Sequence, residues 1–235
     1  IGGFNRSGEY LGLMQLGAHN RSDKSFIGAM QTGVFNHART DFSGIAQIGV
    51  LNGQGRLFED RARNKQRFAG LAQLGVANTA TALRGFGQLG FLNHSGEFRG
   101  ALQVGAASYS KDFAGFLQIG GLAAGAKDFK GVAQIGAAAI SEDSAGMQIG
   151  VAAVALEEHA GLQLGVAANY AEKFTGAQVG LVNVADEVHG VQIGLFNRAK
   201  RLRGLQIGLV NYAADGVLEW SALLNMGFDD TPEYD

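Results

Sequence analysis

The segment Gly204-Leu-Gln-Ile-Gly-Leu-Val-Asn211 is one copy of a short repeat that occupies nearly the whole chain, and Gly190-Val-Gln-Ile-Gly-Leu-Phe-Asn197 is the copy before it. Thirteen glutamines share this setting: one residue and then a glycine follow each of them. They are Gln15, Gln31, Gln47, Gln73, Gln88, Gln103, Gln118, Gln134, Gln148, Gln163, Gln178, Gln192 and Gln206. Their steps are 14 to 16 residues, apart from one step of 26. Helical-pair solenoids and propeller blades have longer repeats, so this period predicts a β-solenoid coil or a single strand with its turn.

The composition follows from this repeat and excludes several classes of protein. The chain has 235 residues, 37 glycines, one proline and no cysteine, and 26 of the glycines lie at two fixed repeat positions. The lack of cysteine excludes a disulfide scaffold and thiolate metal sites. The formal net charge of −2 gives no reason to expect nucleic acid binding. The chain contains no run of 18 apolar residues, so the sequence predicts no transmembrane helix.

Residues around each glutamine alternate in polarity with a period of two, which is typical of a β-strand. In the last regular unit Leu205, Ile207 and Leu209 point one way, while Gln206 and Gly208 point the other. We interpret the aliphatic set as the buried face, since it is apolar in almost every unit. Charged residues are confined to the segments between units, where we expect solvent-exposed turns.

These features predict an all-β, single-domain β-solenoid (parallel β-helix or β-roll) of about 14 short coils. Identical amides stacked at about 4.8 Å can hydrogen-bond along the whole row. We therefore expect a structural ladder of glutamines, and a second ladder at the asparagines that follow five residues later. Phenylalanines such as Phe113 and Phe129, which recur before the upstream glycine, are expected to fill the other side of each coil. The ladder includes Gln103, Gln118, Gln134, Gln148, Gln163, Gln178, Gln192 and Gln206.

An antiparallel outer-membrane β-barrel is the alternative fold, because segments of nine or ten residues with one apolar face suit transmembrane strands. Equal, short connections favour the solenoid. Residues 1–228 form the predicted array and 229–235 an acidic tail. An insert lies at about 53–67, and residues 217–228 form a degenerate terminal unit with Trp220 in the glutamine position. Because the chain begins inside a repeat, we expect an upstream part to have been removed.

The units ending at Asn197 and Asn211 resemble those of bacterial surface-repeat proteins built from Gly-x-Gln-Ile-Gly-Leu-x-Asn repeats, and the likeness covers almost the whole chain. Their spacing is also similar to the β-roll repeats in the heads of trimeric autotransporter adhesins. The resemblance implies a solenoid fold at a bacterial cell surface or outer membrane, and no particular activity.

Two features are candidate contacts. The basic insert is the first, with Arg56, Arg61, Arg63, Lys65 and Arg67 as predicted binding residues. The alanine-rich middle, around Ala106 and Ala137–Ala139, is the second and is a surface for self-association. Acidic residues at successive turns, such as Asp128 and Glu157, would form a row that is either a solvated edge, a calcium site or a set of catalytic carboxylates. We interpret the five histidines as surface or corner residues.

A non-enzymatic role is the prediction that follows, because a repeated chain offers no unique set of nucleophile, base and orienting group. We expect a surface-displayed structural spacer or a binding and adhesion face for a protein or glycan, with no cofactor or metal. Membrane association remains open. The alternatives are an outer-membrane pore and a solenoid carbohydrate-active enzyme.

Overall fold

The computed structural model describes residues 2–54 and 67–228, and every regular element in these ranges is a β-strand. The chain divides into two compact units, Ile1–Lys127 and Asp128–Asp235. The strands are β1 (Phe4–Ser7), β2 (Tyr10–Leu11), β3 (Met14–Leu16), β4 (His19–Ser22), β5 (Phe26–Ile27), β6 (Met30–Ala38), β7 (Phe42–Ser43), β8 (Ala46–Gln54), β9 (Phe68–Ala69), β10 (Ala72–Arg84), β11 (Gly87–Ala213) and β12 (Trp220–Gly227). The long β11 includes the glutamines of nine successive repeats, so it covers many coils.

Successive coils of the first unit pair in parallel and in register. Strands β6 and β8 place Gln31 beside Gln47 and Asn36 beside Asn52. Strands β8 and β10 place Gln47 beside Gln73, so the 26-residue step does not break the stack. The predicted parallel β-solenoid is confirmed. The antiparallel alternative is wrong, since it requires neighbouring repeats to run in opposite directions.

Four positions of each coil point inward. In the coil that begins at Gln192 these are the glutamine, Asn197, Ala199 and Leu202, all with no exposed surface. The fourth position is phenylalanine in many coils, and the rings stack: the centroids of Phe26 and Phe42 are 4.9 Å apart. All seven phenylalanines at this position are at least 99% buried, which confirms the predicted phenylalanine row: Phe26, Phe42, Phe68, Phe98, Phe113, Phe129 and Phe174.

The prediction that the aliphatic set is the buried face is wrong. Gln206 has no exposed surface, whereas Ile207 is 39% exposed and Leu209 is 60% exposed. The polar set can lie inside because each amide pairs with the amide of a neighbouring coil, as Gln206 does by donating to Gln192, so burial leaves few unpaired groups. The interior is narrow, and the stacked amides together with the phenylalanine row fill it. The aliphatic set is left outside.

The chain reverses after the last regular coil. Strand β12 pairs with the end of β11 in antiparallel orientation, which places Asn225 opposite Gln206 and Trp220 opposite Tyr212. Trp220 therefore does not take the glutamine position predicted for a final unit. An antiparallel partner cannot continue a ladder that needs like residues in register, so β12 covers the last coil and the ladder stops there. The predicted tail at 229–235 lies outside the described residues.

Candidate functional site

The glutamine ladder fixes the register of every coil and so decides which side chains face outward. In the first unit Nε2 of Gln31 donates to Oε1 of Gln15 at 2.7 Å, and each later glutamine donates to the one before it. The second unit repeats this arrangement, with Gln163 donating to Gln148 at 2.8 Å and Gln178 donating to Gln163 at 2.7 Å. The predicted glutamine ladder is confirmed.

The asparagine ladder is also confirmed, and its donors point the opposite way along the stack. Nδ2 of Asn183 donates to Oδ1 of Asn197, in the following coil, at 2.8 Å. Asn169 enters this ladder by donating to Asn183 at 2.7 Å. The sequence frame placed Ala168 at this position, five residues after Gln163, and missed Asn169, which follows by six. Coils that carry both residues are thus held together from inside by two rows of amides.

The outward residues form regular apolar rows. Residues one and three places after each glutamine lie on the outer surface, and in the second unit the most exposed is Val166, at 72%. The segments 177–182, 191–196 and 205–210 contain no Asp, Glu, Lys or Arg. An uncharged face made of rows of aliphatic side chains is more typical of a binding surface than of a surface that stays exposed to solvent.

A shallow cavity of about 560 Å³, which we call the apolar furrow, runs along this face in the second unit. One wall is formed by the residues that directly follow the glutamines: Val179, Ile193 and Ile207. The other wall is formed by residues two places further on: Val166, Leu181, Leu195 and Leu209. The floor consists of the glycines between them, Gly180, Gly194 and Gly208, and Leu223 also lines the furrow. Such a surface can bind apolar groups but offers almost no side-chain hydrogen bonds.

The phenylalanine row is interrupted in the second unit by a buried polar pair. Ser144 and His159 take the inward position, and Oγ of Ser144 lies 2.7 Å from Nδ1 of His159. The His159 ring stacks on Phe174 with centroids 5.6 Å apart, and its Nε2 has no hydrogen-bond partner. Burial lowers the pKa of His159 from 6.5 to about 4. The interpretation of His159 as a surface residue is wrong, and its spacing four residues before Gln163 is the signal that places it inside.

A second cavity of about 580 Å³ lies beside this pair, along the charged edge of the same unit. Its walls include Asp128, Asp143, Glu157 and Glu158 of the predicted acidic row. Ion pairs join neighbouring coils along the edge: Lys173 binds Glu158 at 2.9 Å, and Lys200 binds Asp186 at 2.7 Å. The hydrogen bond to Glu158 raises the pKa of Lys173. These exposed pairs favour a solvated edge among the three alternatives.

The predicted binding residues of the insert fall largely outside the described part of the chain. Arg56, Arg61, Arg63 and Lys65 lie within 55–66, outside the described residues. Arg67 is described, and its backbone N–H donates to Oδ1 of Asp41 at 3.0 Å. Their role in binding stays a prediction.

The alanine-rich middle contributes partly to the interior. Ala139 and Ala153 have no exposed surface and take the position that asparagine holds in other coils. They therefore cannot reach a second chain. Ala106 is half-buried and Ala137 is exposed, and self-association through this region stays a prediction.

Within residues 2–54 and 67–228, no group of three or more histidine or acidic side chains is placed to hold a metal ion. The same residues contain no helix of the length and hydropathy needed to cross a membrane. Comparison with known proteins gives no further guide. No protein-family model matches the chain, and no curated protein or solved structure is significantly similar to it.

Proposed function

We propose that this protein is a non-enzymatic repeat protein, displayed at a bacterial cell surface, that acts as a spacer and offers its outer apolar face for adhesion. The observation that carries the proposal is the exposure of the aliphatic rows in register along the coils, as in Leu195 at 52% and Leu209 at 60%. Displaying these residues is unfavourable by about 25 cal/mol for each Å² of apolar surface left in water. A partner that covers the face removes this penalty.

The chemistry of the face favours protein over glycan as the partner. Sugars are bound through hydrogen bonds and aromatic stacking, whereas the walls of the apolar furrow are valine, leucine and isoleucine. Aliphatic rows pack best against other aliphatic side chains. Placement at the bacterial surface depends on the resemblance of the repeats to surface-repeat proteins.

The experiment is an adhesion assay with bacterial cells that display the chain through a foreign anchor. Cells with the natural sequence should adhere to each other or to immobilised proteins, and cells with Leu195→Glu should lose that adhesion. Cells with Thr175→Glu, which adds the same charge at an exposed position outside the furrow, should adhere like the natural sequence. Adhesion that is absent, or that is the same in both variants, would contradict the proposal.

A further inference from the structure

We propose that the apolar furrow is the contact surface between two copies of this chain, which pack face to face through their second units. This inference deepens the proposed function, on which it rests, by naming the protein that covers the face.

The size of the face suits a dimer. Val166, Leu181, Leu195, Leu209 and Val210 are between 42% and 72% exposed, and further aliphatic residues flank them. Together they present on the order of several hundred Å² of contiguous apolar surface, which is comparable to the largest patch of an ordinary monomer, a patch that is often functional. A stable interface buries about 800 Å² on each partner. One face therefore supplies most of the area that a dimer needs.

The charge distribution favours a second copy over a lipid surface. The three aliphatic segments along the furrow carry no charged residue, so packing two identical faces brings no like charges together. Proteins that bind anionic membranes place lysine and arginine around their apolar face. Residues 128–228 instead contain ten Asp and Glu against six Lys and Arg. An anionic membrane therefore finds no basic rim to attract it, whereas the contact of two uncharged faces needs none.

The shape of the face is complementary to itself. Along the stack, coils repeat at the spacing of β-strands, about 4.8 Å, and every coil of a second copy has the same spacing. The wall formed by Leu181, Leu195 and Leu209 is a ridge beside a floor of glycines. When two copies meet through a two-fold axis, the ridge of each can enter the furrow of the other. The glycine floor is what leaves room for the leucine side chains.

The test is the mass of the full chain in solution, measured by light scattering and analytical ultracentrifugation. We expect a dimer of twice the 24.6 kDa chain mass. Leu195→Glu should weaken dimerisation by roughly 100-fold, because it places an unpaired charge in a desolvated interface. Thr175→Glu adds the same charge outside the furrow and should leave the dimer intact.

Circular dichroism and thermal unfolding establish that each variant is folded, and Leu209→Glu replaces Leu195→Glu should the latter fail to fold. A natural chain that is still monomeric at about 100 µM overturns the inference, because a dissociation constant above this concentration is weak for a specific interface. A dimer that persists in both furrow variants overturns it as well. So does a monomer that binds anionic vesicles and loses this binding on Leu195→Glu.

A cross-link locates the interface directly, because the chain has no cysteine of its own. Leu195→Cys should give a cross-linked dimer with a short bismaleimide, and Thr175→Cys should not. The reverse result would place the contact on the charged edge and overturn the inference.

The two proposals fail separately. A monomeric chain whose cells still adhere refutes the dimer but not the adhesive function. A dimer whose cells do not adhere refutes the adhesive function but not the dimer.

Discussion

At the scale of single residues, the stability of the coil depends on amides that are buried and paired. Gln163 has no exposed surface, donates to Gln148 at 2.8 Å and accepts from Gln178 at 2.7 Å. Gln163→Leu fills the same space but leaves one acceptor and one donor without this partner. We expect a loss of about 1–3 kcal/mol in the free energy of unfolding for each orphaned group, measured by urea denaturation.

Glu172→Gln is the matched control for this substitution, since it changes an exposed residue of the same coil. It should unfold at the same urea concentration as the natural chain, within error. If Gln163→Leu also does so, the ladder contributes no stability and the coils are held together by their backbone hydrogen bonds and by the phenylalanine row alone.

His159 should make the stability of the fold depend on pH. Its pKa is about 4 in the folded protein and 6.5 ordinarily, because burial disfavours the charged ring. The folded state therefore binds fewer protons than the unfolded state between these values. The free energy of unfolding is not reduced by His159 above about pH 6.5. It falls by roughly 2–3 kcal/mol as the pH drops towards 4.

The double variant Ser144→Ala, His159→Phe removes both polar partners and restores the phenylalanine row. Between pH 7 and pH 4 its free energy of unfolding should fall less than that of the natural chain. The difference between the two falls should equal the amount assigned to His159. Burial also lowers the pKa of His37 and His94, and this part of the pH dependence should remain in both proteins. Identical pH profiles would show that His159 is not the group responsible.

The identity of the ladder residues could be predicted from the sequence, but the direction in which they point could not. The repeat places Gln206 in a row with its neighbours, and the alternation places Ile207 on the opposite side. Hydrophobicity alone assigns Ile207 to the interior. The decisive factor is that the amide finds partners in the stack: Nε2 of Gln206 donates to Gln192 and to the carbonyl of Tyr212, and its Oε1 lacks a partner because the row ends there. That satisfaction depends on the stack as a whole and is not a property of one repeat.

At the scale of the coil, a glycine two residues before each glutamine from Gln148 onwards sets the turn. Gly190 has a φ of 143°, which L side chains rarely adopt, and a Cβ there would lie 2.0 Å from the carbonyl oxygen of Gly176. Gly190→Ala should therefore destabilise the protein by more than about 2 kcal/mol in urea denaturation.

Gly121→Ala provides the comparison for Gly190→Ala, because an added Cβ at Gly121 meets no atom closer than 4.0 Å. Its effect should lie within about 0.5 kcal/mol of zero. Equal losses in the two variants would mean that the positive φ and the close approach at Gly190 are not what the coil requires.

The reversal at the end of the array could not be predicted from the repeat. The sequence Trp220-Ser-Ala-Leu-Leu-Asn225 keeps the spacing of a unit but lacks both its glutamine and its glycine. Without a glutamine it cannot extend the ladder. Strand β12 instead pairs in the antiparallel direction, and Asn225 donates to the carbonyl of Leu218, within its own hairpin, at 2.7 Å. The same spacing thus gives a coil or a reversed strand according to whether it can join the row of amides.

At the scale of the whole chain, deleting the insert tests which surface carries the function. Gln47 and Gln73 are adjacent in the ladder, with Nε2 of Gln73 donating to Oε1 of Gln47 at 2.8 Å. Deleting residues 56–65 shortens their step from 26 to 16 residues, the step that already separates Gln31 from Gln47. The remaining chain is long enough for a regular coil. We expect the deletion to leave the free energy of unfolding unchanged or slightly raised, since closing a shorter loop requires less entropy.

The same deletion removes Arg56, Arg61, Arg63 and Lys65, four of the five predicted binding residues. If the apolar face carries adhesion, cells that display the shortened chain should adhere as well as those with the natural sequence, and the solution mass should remain that of a dimer. If the insert is the contact, adhesion should be lost while the dimer persists, because the deletion lies in the first unit and the furrow in the second. Measured beside Leu195→Glu, the deletion therefore separates a function of the repeated surface from one that resides in the insert.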